Sequence, residues 1–296
     1  MESRNVGALH FEARTRDLLD KAISDSFCRL TETEAVTSPN LHGSGVVVTG
    51  GSGHLGSALV PSLVREGAFV VAIARGVQRL SELADACGTN RDRLDILVAD
   101  ISSEAVVDQA VERLEAHDRP LSGWVNNANT AKGGGVLFGL DRQELTQAMM
   151  SLTDHMMLTD RVASVMRQRG IPGSIVNISS MYGLVSPDPR TYADHPDLHN
   201  PPGYGVVKAG MLQFSRYAAI HLAPFGIRVN SVSPGPFPNA QVQARRSFVH
   251  ALERQVPLGR IGRPEEVAGA VKYLLSDAST YTTGANIVVD GGWTAW

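Results

Sequence analysis

An α/β architecture, a doubly wound parallel sheet of about seven strands in a single domain, is what the amino-acid sequence specifies. Three features carry that expectation. Short β-branched runs alternate with helix-length intervals from Gly45 onward; the first run empties into a glycine-rich turn, "TGGSGHLG"; and 296 residues, 43% of them hydrophobic, suffice for one large core. Continuous apolar strands separated by helices form parallel sheets covered on both faces and joined by right-handed crossovers.

Taken in order, residues 1–43 are polar and hold no strand-like run. Within them "FEARTRDLLDKAI" has the spacing of an amphipathic helix with Phe11, Leu18, Leu19 and Ile23 on one face, and "TETEAVTSPNLHGSG" reads as linker. A partly ordered extension is expected there, with an arm packed on a neighbouring subunit as the alternative. The folded domain is expected over residues 44–296. Its strands are "GVVVT", "FVVAIA", "LDILVA", "GWVNN", "SIVNIS", "IRVNSVS" and "NIVVD". Pro61 falls inside the first helical pattern, where the missing N–H predicts a bend.

The bulk properties exclude several classes. A net charge of −3, with no Lys/Arg run interleaved with aromatics, offers nothing to a phosphate backbone, so no nucleic acid is expected. No window reaches the roughly 18 apolar residues of a membrane span, and the N-terminus lacks an apolar signal region, so a cytoplasmic protein with no membrane partner is expected. Cys28 and Cys87 are isolated and match no metal spacing; both read as structural, and no metal site is expected.

Four glycines in seven residues, Gly50, Gly51, Gly53 and Gly56, serve a chain that must bring bare backbone close to something. Between a strand and a helix N-terminus that something is an anion, held by unpaired N–H groups and the helix dipole. Pyrophosphate fits, which makes Gly50, Ser52, Gly53, His54 and Leu55 candidates for dinucleotide binding. The spacing Gly50-x-x-Gly53-x-x-Gly56 departs from G-x-G-x-x-G and from T-G-x-x-x-G-x-G, in which His54 stands at the second glycine. His54 reads as a solvent-facing loop residue. An NAD-preferring site carries an acid at the end of its second strand, about 20 residues on. Here Ala74 takes that place and Arg75 follows, a cation for a 2′-phosphate, so NADP(H) is favoured over NAD(H).

Among six tyrosines and four lysines, Tyr204 and Lys208 alone have the spacing Tyr-x-x-x-Lys, which puts them on one helical face. An ammonium near a phenol stabilises the phenolate, so the Tyr204 pKa is expected below its ordinary value of about 10, making it a usable acid and base.

With "NNAN" (Asn126 to Asn129), "IVNISS", "YGVVK", "RVNSVSPGPF" and "TGANIVVDGG" in order after the glycine loop, residues 44–296 resemble the short-chain dehydrogenase/reductase family, in its single-domain branch. The resemblance implies a Rossmann-type fold and hydride transfer between nicotinamide and a carbinol or carbonyl carbon. It assigns the substrate-oxygen hydrogen bond to Ser180, the acid/base role to Tyr204, and ribose binding with tuning of the tyrosine to Lys208. It further implies adenine contacts from Asp100 with Ile101, cofactor-flanking backbone at Asn127, Ala128 and Asn129, and a nicotinamide loop at Pro234, Gly235 and Phe237, the last in place of a small aliphatic residue. Asn129 stands where the family generally has glycine. Ser151 stands where it commonly has an asparagine that anchors a proton-relay water, and is carried as a catalytic candidate.

Ser180 and Tyr204 lie 24 positions apart, against about a dozen in the family, and the extra segment carries Arg190, Tyr192, Asp194, His195, Asp197 and His199. A long loop beside reactive residues reads as substrate-facing, with an exposed flap as the alternative. The insert and the ending "DGGWTAW" resemble members acting on sugars, polyols or sugar acids, which gives a polar small-molecule substrate. Family members also imply pairing through the last strand and its helix into a homo-oligomer, tetramer or dimer. Two other readings stand beside the oxidoreductase: a redox-neutral epimerase or dehydratase with bound cofactor, and a non-catalytic nucleotide-binding partner protein.

Overall fold

Seven runs of β-branched and small residues pair in the order β3-β2-β1-β4-β5-β6-β7, every neighbour parallel. The strands are β1 (Gly45–Thr49), β2 (Phe69–Ala74), β3 (Leu94–Val98), β4 (Leu121–Asn126), β5 (Gly173–Ile178), β6 (Ile227–Pro234) and β7 (Asn286–Val289). Between them run the helices α1 (Gly56–Arg65), α2 (Val77–Ala86), α3 (Val106–Glu115), α4 (Arg142–Gln168), α5 (Pro202–Leu222), α6 (Ala240–Gln243), α7 (Arg246–Glu253) and α8 (Pro264–Leu275). The computed structural model describes residues 40–103, 105–129 and 137–296; the expected N-terminal helix and Cys28 lie outside these. The fold is the doubly wound, Rossmann-like sheet that the alternation of runs specifies.

Strand alternation divides the core in two. Val46, Val48, Val70 and Ala72 face α1, α2 and α8, packing on Leu59, Leu63, Leu80, Val267 and Val271. Val47, Val71 and Ile73 face α3, α4 and α5, packing on Val107, Leu114, Leu158, Val162 and Ala218. Both faces of the central strands are therefore dry, which is why they read as unbroken apolar runs. Helix α1 continues through Pro61 from Gly56 to Arg65.

A buried polar chain crosses the second face. Asn126 Nδ2 donates to Thr159 Oγ1 (3.0 Å) and to Asn177 Oδ1 (2.8 Å), Asn177 Nδ2 donates to Ser215 Oγ (2.8 Å), and Ser231 Oγ lies 2.8 Å from Ser215 Oγ. Buried polar groups persist only when partnered. Satisfied in this way, they fix β4, β5 and β6 against α4 and α5. The point where β1 and β4 part their crossovers to opposite sides is where such sheets open a crevice beyond their carboxyl ends.

Candidate active site

The ends of β1, β2, β3, β4 and β5 build a first cavity of about 560 Å³. At the end of β1 the Thr49 hydroxyl accepts from the N–H groups of Asn127 (3.0 Å) and Ala128 (3.1 Å), while Asn127 Nδ2 donates to the carbonyls of Thr49 and Gly50 (3.0 Å each). These bonds clamp the exits of β1 and β4 at fixed spacing. Gly50 then turns with φ +64°, and a Cβ there would lie 2.8 Å from Ala128 Cα; a Cβ on Gly56 would lie 2.2 Å from the Gly50 carbonyl oxygen. Side chains are excluded at both positions, so backbone itself forms the wall. The N–H groups of Ser52, His54 and Leu55 have no acceptor within the described chain and stand before α1, where the helix dipole adds positive potential. The loop fits a diphosphate.

Besides Gly50, Ser52, Gly53, His54 and Leu55, the cavity is lined by Arg75, Asp100, Ile101, Asn127, Ala128, Asn129, Tyr204 and Lys208. Asp100 accepts from Ser102 N (3.0 Å) and Oγ (2.9 Å), and Arg75 stands 3.7 Å from its other oxygen. The Ser102 N–H first, then its hydroxyl and Arg75, hold the Asp100 carboxyl below the usual carboxylate range despite an opposing contribution from burial. Arg79, one helical turn beyond Arg75, joins the lining and was not singled out from the sequence.

A second cavity of about 440 Å³ adjoins the first and shares His54, Asn129 and Tyr204 with it. Its remaining wall includes Ser180, Tyr182, Tyr192, Leu198, Asn200, Gly235, Phe237, Asn239 and Phe248. The long insert supplies Tyr192, Leu198 and Asn200. It does not stand free: the Tyr192 ring packs on Phe248 (centroids 5.4 Å apart) and His199 (4.8 Å), its hydroxyl is hydrogen-bonded to that of Tyr182, His195 Nε2 lies 2.9 Å from Ser247 Oγ, and Arg245 pairs with Asp197 at 2.7 Å. His195 and His199 are thus engaged in packing and polar contacts with the protein; among the described residues no three His, Cys, Asp or Glu side chains are grouped to hold a metal ion.

Ser180, Tyr204 and Lys208 come together where the cavities meet. Ser180 ends β5's exit, its Oγ accepting from Tyr182 N (3.1 Å) and hydrogen-bonding the Tyr204 hydroxyl. Tyr204 lies in the first turn of α5, and Lys208 Nζ sits 5.8 Å from its ring centroid while donating to the Ile178 carbonyl (2.9 Å). Ser179 Oγ, 2.8 Å from the Lys208 carbonyl, pins the helix to the strand end. Lys208 is 4% exposed, and burial pulls its pKa down to about 8. The expected depression of the Tyr204 pKa is not what the structure gives: burial of the phenol dominates and pushes it above its ordinary value, the Ser180 hydrogen bond opposing only in part. Tyr204 is therefore a protonated acid at neutral pH.

Other assignments shift. Pro234 borders neither cavity; it is the last residue of β6, paired with Val289. Ser151 also borders neither, being buried within α4. His54 is exposed, as expected, yet its ring hydrogen-bonds the Phe237 carbonyl across the site, and partial burial lowers its pKa. Phe237 packs so closely on Gly262 that a Cβ there would lie 2.3 Å from the ring. Thr49, Arg79, Tyr182, Asn200, Asn239 and Phe248 were missed in the sequence; only Arg79 carried a local signal, its offset of four from Arg75.

A family model described as enoyl-(acyl carrier protein) reductase matches residues 52–294. Over 251 residues the chain is 33% identical to cis-4-hydroxycyclohexanecarboxylate dehydrogenase of Sinomonas cyclohexanicum, covering 84% of this chain and 96% of that protein. Over 266 residues it is 32% identical to galactitol 2-dehydrogenase of Rhizobium johnstonii, covering 86% and 97%. Among solved structures, a short-chain dehydrogenase from Leptospira borgpetersenii with bound NAD+ superposes with TM-score 0.75 at 27% identity, covering 89% of this chain and 98% of that one. A gluconate 5-dehydrogenase from Burkholderia cenocepacia in complex with NADP and tartrate does so with TM-score 0.75 at 26% identity, covering 89% and 100%. The chain belongs to the short-chain dehydrogenase/reductase family and is an oxidoreductase of that type.

Proposed function

We propose that the protein reduces or oxidises a neutral, sugar- or polyol-like small molecule with a nicotinamide dinucleotide, NADP(H) in preference to NAD(H), in the cytoplasm. The observation that carries this is Tyr204, which borders both cavities with Ser180 and Lys208 beside it. The first cavity would take the dinucleotide: the Ser52–Leu55 backbone its diphosphate, Arg75 and Arg79 its 2′-phosphate, Asp100 and Ile101 its adenine, Asn127 to Asn129 its adenosine half, and Lys208 its nicotinamide ribose. When bound, the nicotinamide supplies or accepts the hydride. Gly235 and Phe237 would face the nicotinamide end.

In the second cavity Ser180 holds the substrate oxygen by a hydrogen bond, and Tyr204 gives that oxygen its phenolic proton in reduction or takes one back in oxidation. Lys208, charged below about pH 8, faces the phenol and stabilises the phenolate left behind. No Asp, Glu, Lys or Arg borders this cavity among the described residues. Tyr182, Tyr192, Asn200 and Asn239 offer neutral hydrogen bonds beside the Phe237 and Phe248 rings, a lining suited to hydroxyl groups on an apolar ring or chain and ill suited to a sugar acid. Relatives named for galactitol and L-rhamnose support the same class.

Exposed Leu258, Tyr281, Val288 and Trp296 near the β7 edge support assembly into a homo-oligomer, tetramer or dimer, through β7 and α8.

The test is titration with NADPH and NADH by nicotinamide fluorescence, followed by a panel of neutral keto sugars and cyclic ketones. Tighter binding of NADPH, with oxidation by a panel member, is expected. Equal affinities remove the NADP(H) preference; failure of both to bind removes the enzyme reading; conversion without net change in nicotinamide absorbance replaces it with a redox-neutral one.

A further inference from the structure

Of the residues in the glycine turn, His54 alone borders both cavities. Side chains are excluded at Gly50 and Gly56, yet the backbone of His54 lies outside the left-handed region and carries its ring without strain. That ring crosses the junction of the cavities and donates to the Phe237 carbonyl. Both ends of the span are fixed. On the turn side, Gly53 N donates to the Gly50 carbonyl (2.9 Å), Ser57 N to the Gly53 carbonyl (2.8 Å) and Ser57 Oγ to the His54 carbonyl (3.1 Å). On the far side, Gly235 N donates to the Val289 carbonyl (2.9 Å), Gly262 N to the Pro236 carbonyl (3.0 Å) and Gln243 Nε2 to the Pro238 carbonyl (2.7 Å). The imidazole is thus tethered close to the N–H groups of Ser52, His54 and Leu55, the seat of the proposed diphosphate.

A carbonyl oxygen only accepts, so the ring nitrogen facing Phe237 carries a proton, and in the neutral ring the other nitrogen is a lone pair. A lone pair repels a phosphate oxygen; a second N–H bonds to it, with the strength that opposite charges add. The sequence from Gly50 to Leu59 holds no lysine or arginine, which makes His54 the one side chain of the turn able to become a cation. Burial lowers the ring's pKa from its ordinary value, opposed first by the Phe237 carbonyl and then by Glu265 in the first turn of α8, so the ring is mainly neutral at physiological pH. Tyr204 of α5 and Asn129 share both cavities with it, and Arg75, Arg79, Asp100 and Lys208 line the first. Beside Phe237, Arg260 and Arg263 are engaged with Glu266 at 2.7 and 3.5 Å.

We propose that His54 is a proton-linked contact for the dinucleotide: its imidazole takes a proton from solvent as a diphosphate settles on the turn, and offers the new N–H to it while the other N–H stays on the Phe237 carbonyl. The inference rests on the reading of the turn as a diphosphate seat. Its consequence is a tie between the two cavities, because the charged ring grips with one edge the cofactor and with the other the loop that bears Phe237, a wall of the second cavity. Since the anion raises the ring's pKa, affinity grows as pH falls, and the gain is lost as pH rises through the raised value.

NAD+ is the probe for the test, because none of its own groups titrates near neutral pH, whereas the 2′-phosphate of NADP+ does. Calorimetry at about pH 6.5, the ordinary histidine pKa, in PIPES and in imidazole, buffers of different ionisation heat, counts the protons taken up on binding. The wild type is expected to take up roughly half a proton per NAD+ bound. His54→Gln keeps an N–H for the Phe237 carbonyl but cannot titrate, so it should take up none, bind about tenfold more weakly than the wild type at pH 6, and come within about threefold of it at pH 8. Binding by the wild type without proton uptake overturns the proposal, as does uptake that His54→Gln retains. Should His54→Gln not fold, His54→Gly removes the ring altogether, and the same loss of uptake is expected; uptake retained there overturns the proposal equally. Failure of both NAD+ and NADP+ to bind the wild type is a separate result, which removes the dinucleotide reading and this inference with it.

Discussion

The two cavities that meet at Tyr204 are made of different material. The first has as one wall the bare backbone of the glycine turn after β1, where side chains are excluded, and is completed by the strand ends from β2 to β5. The second is largely side chain, gathered from the insert, the segment after β6, and α7. A wall of backbone is written in local motifs, because glycine and strand-end residues decide it within a few positions. A wall of side chains is written in separate segments, and its composition can change without disturbing the first. The division explains how one dinucleotide scaffold serves many substrates.

The largest effect should fall at the seam. Tyr204→Phe is expected to lower kcat by about 10²- to 10⁴-fold, the range of general acid catalysis, while the dissociation constant for NADPH changes by no more than about threefold, under 1 kcal/mol. Loss of nucleotide binding in this variant would mean that the seam belongs to the first cavity alone.

Smaller, and confined to the backbone wall, is Gly56→Ala. With its Cβ 2.2 Å from the Gly50 oxygen the loop must open, and NADPH affinity should fall about a hundredfold, or 2.7 kcal/mol. Unaltered affinity would show that the loop adapts as freely as a side-chain wall.

The smallest is Tyr192→Phe. It strips Tyr182 of its hydroxyl partner, so about 1 kcal/mol of stability should be lost in thermal denaturation, and KM for the substrate should rise about tenfold with NADPH binding unmoved. A change in nucleotide affinity here would erase the distinction between the two halves.

The same division decides what the sequence disclosed. "FVVAIA" reads as a strand because both its faces are dry, and Tyr204 and Lys208 read as neighbours because an offset of four fixes them on one helix face. Thr49 could not be read this way: its role depends on N–H groups 78 and 79 positions later, joined only when β1 pairs with β4. Nor could the meeting of Tyr182 and Tyr192 with Phe248, which needs the insert folded onto α7. The titration of Tyr204 is a subtler case. Spacing places the ammonium beside the ring, but burial, a property of the whole fold, raises the phenol's pKa, and only the Ser180 hydrogen bond opposes it. The location of Pro234 is decided by one residue of strand length: β6 extends far enough to absorb it.

The pairing of β1 with β4, Val46 opposite Gly123 and Val48 opposite Val125, has a consequence for how the chain is made. Parallel neighbours cannot form as hairpins, so during synthesis the first 120 or so residues have no way to complete the centre of the sheet. Until Asn127 has cleared the ribosome, Thr49 lacks the partners that clamp the glycine turn, and β1 presents an open edge of unpaired N–H and C=O groups flanked by its valine side chains. Chaperone protection of the nascent chain should therefore be greatest before β4 emerges and should ease once it has docked.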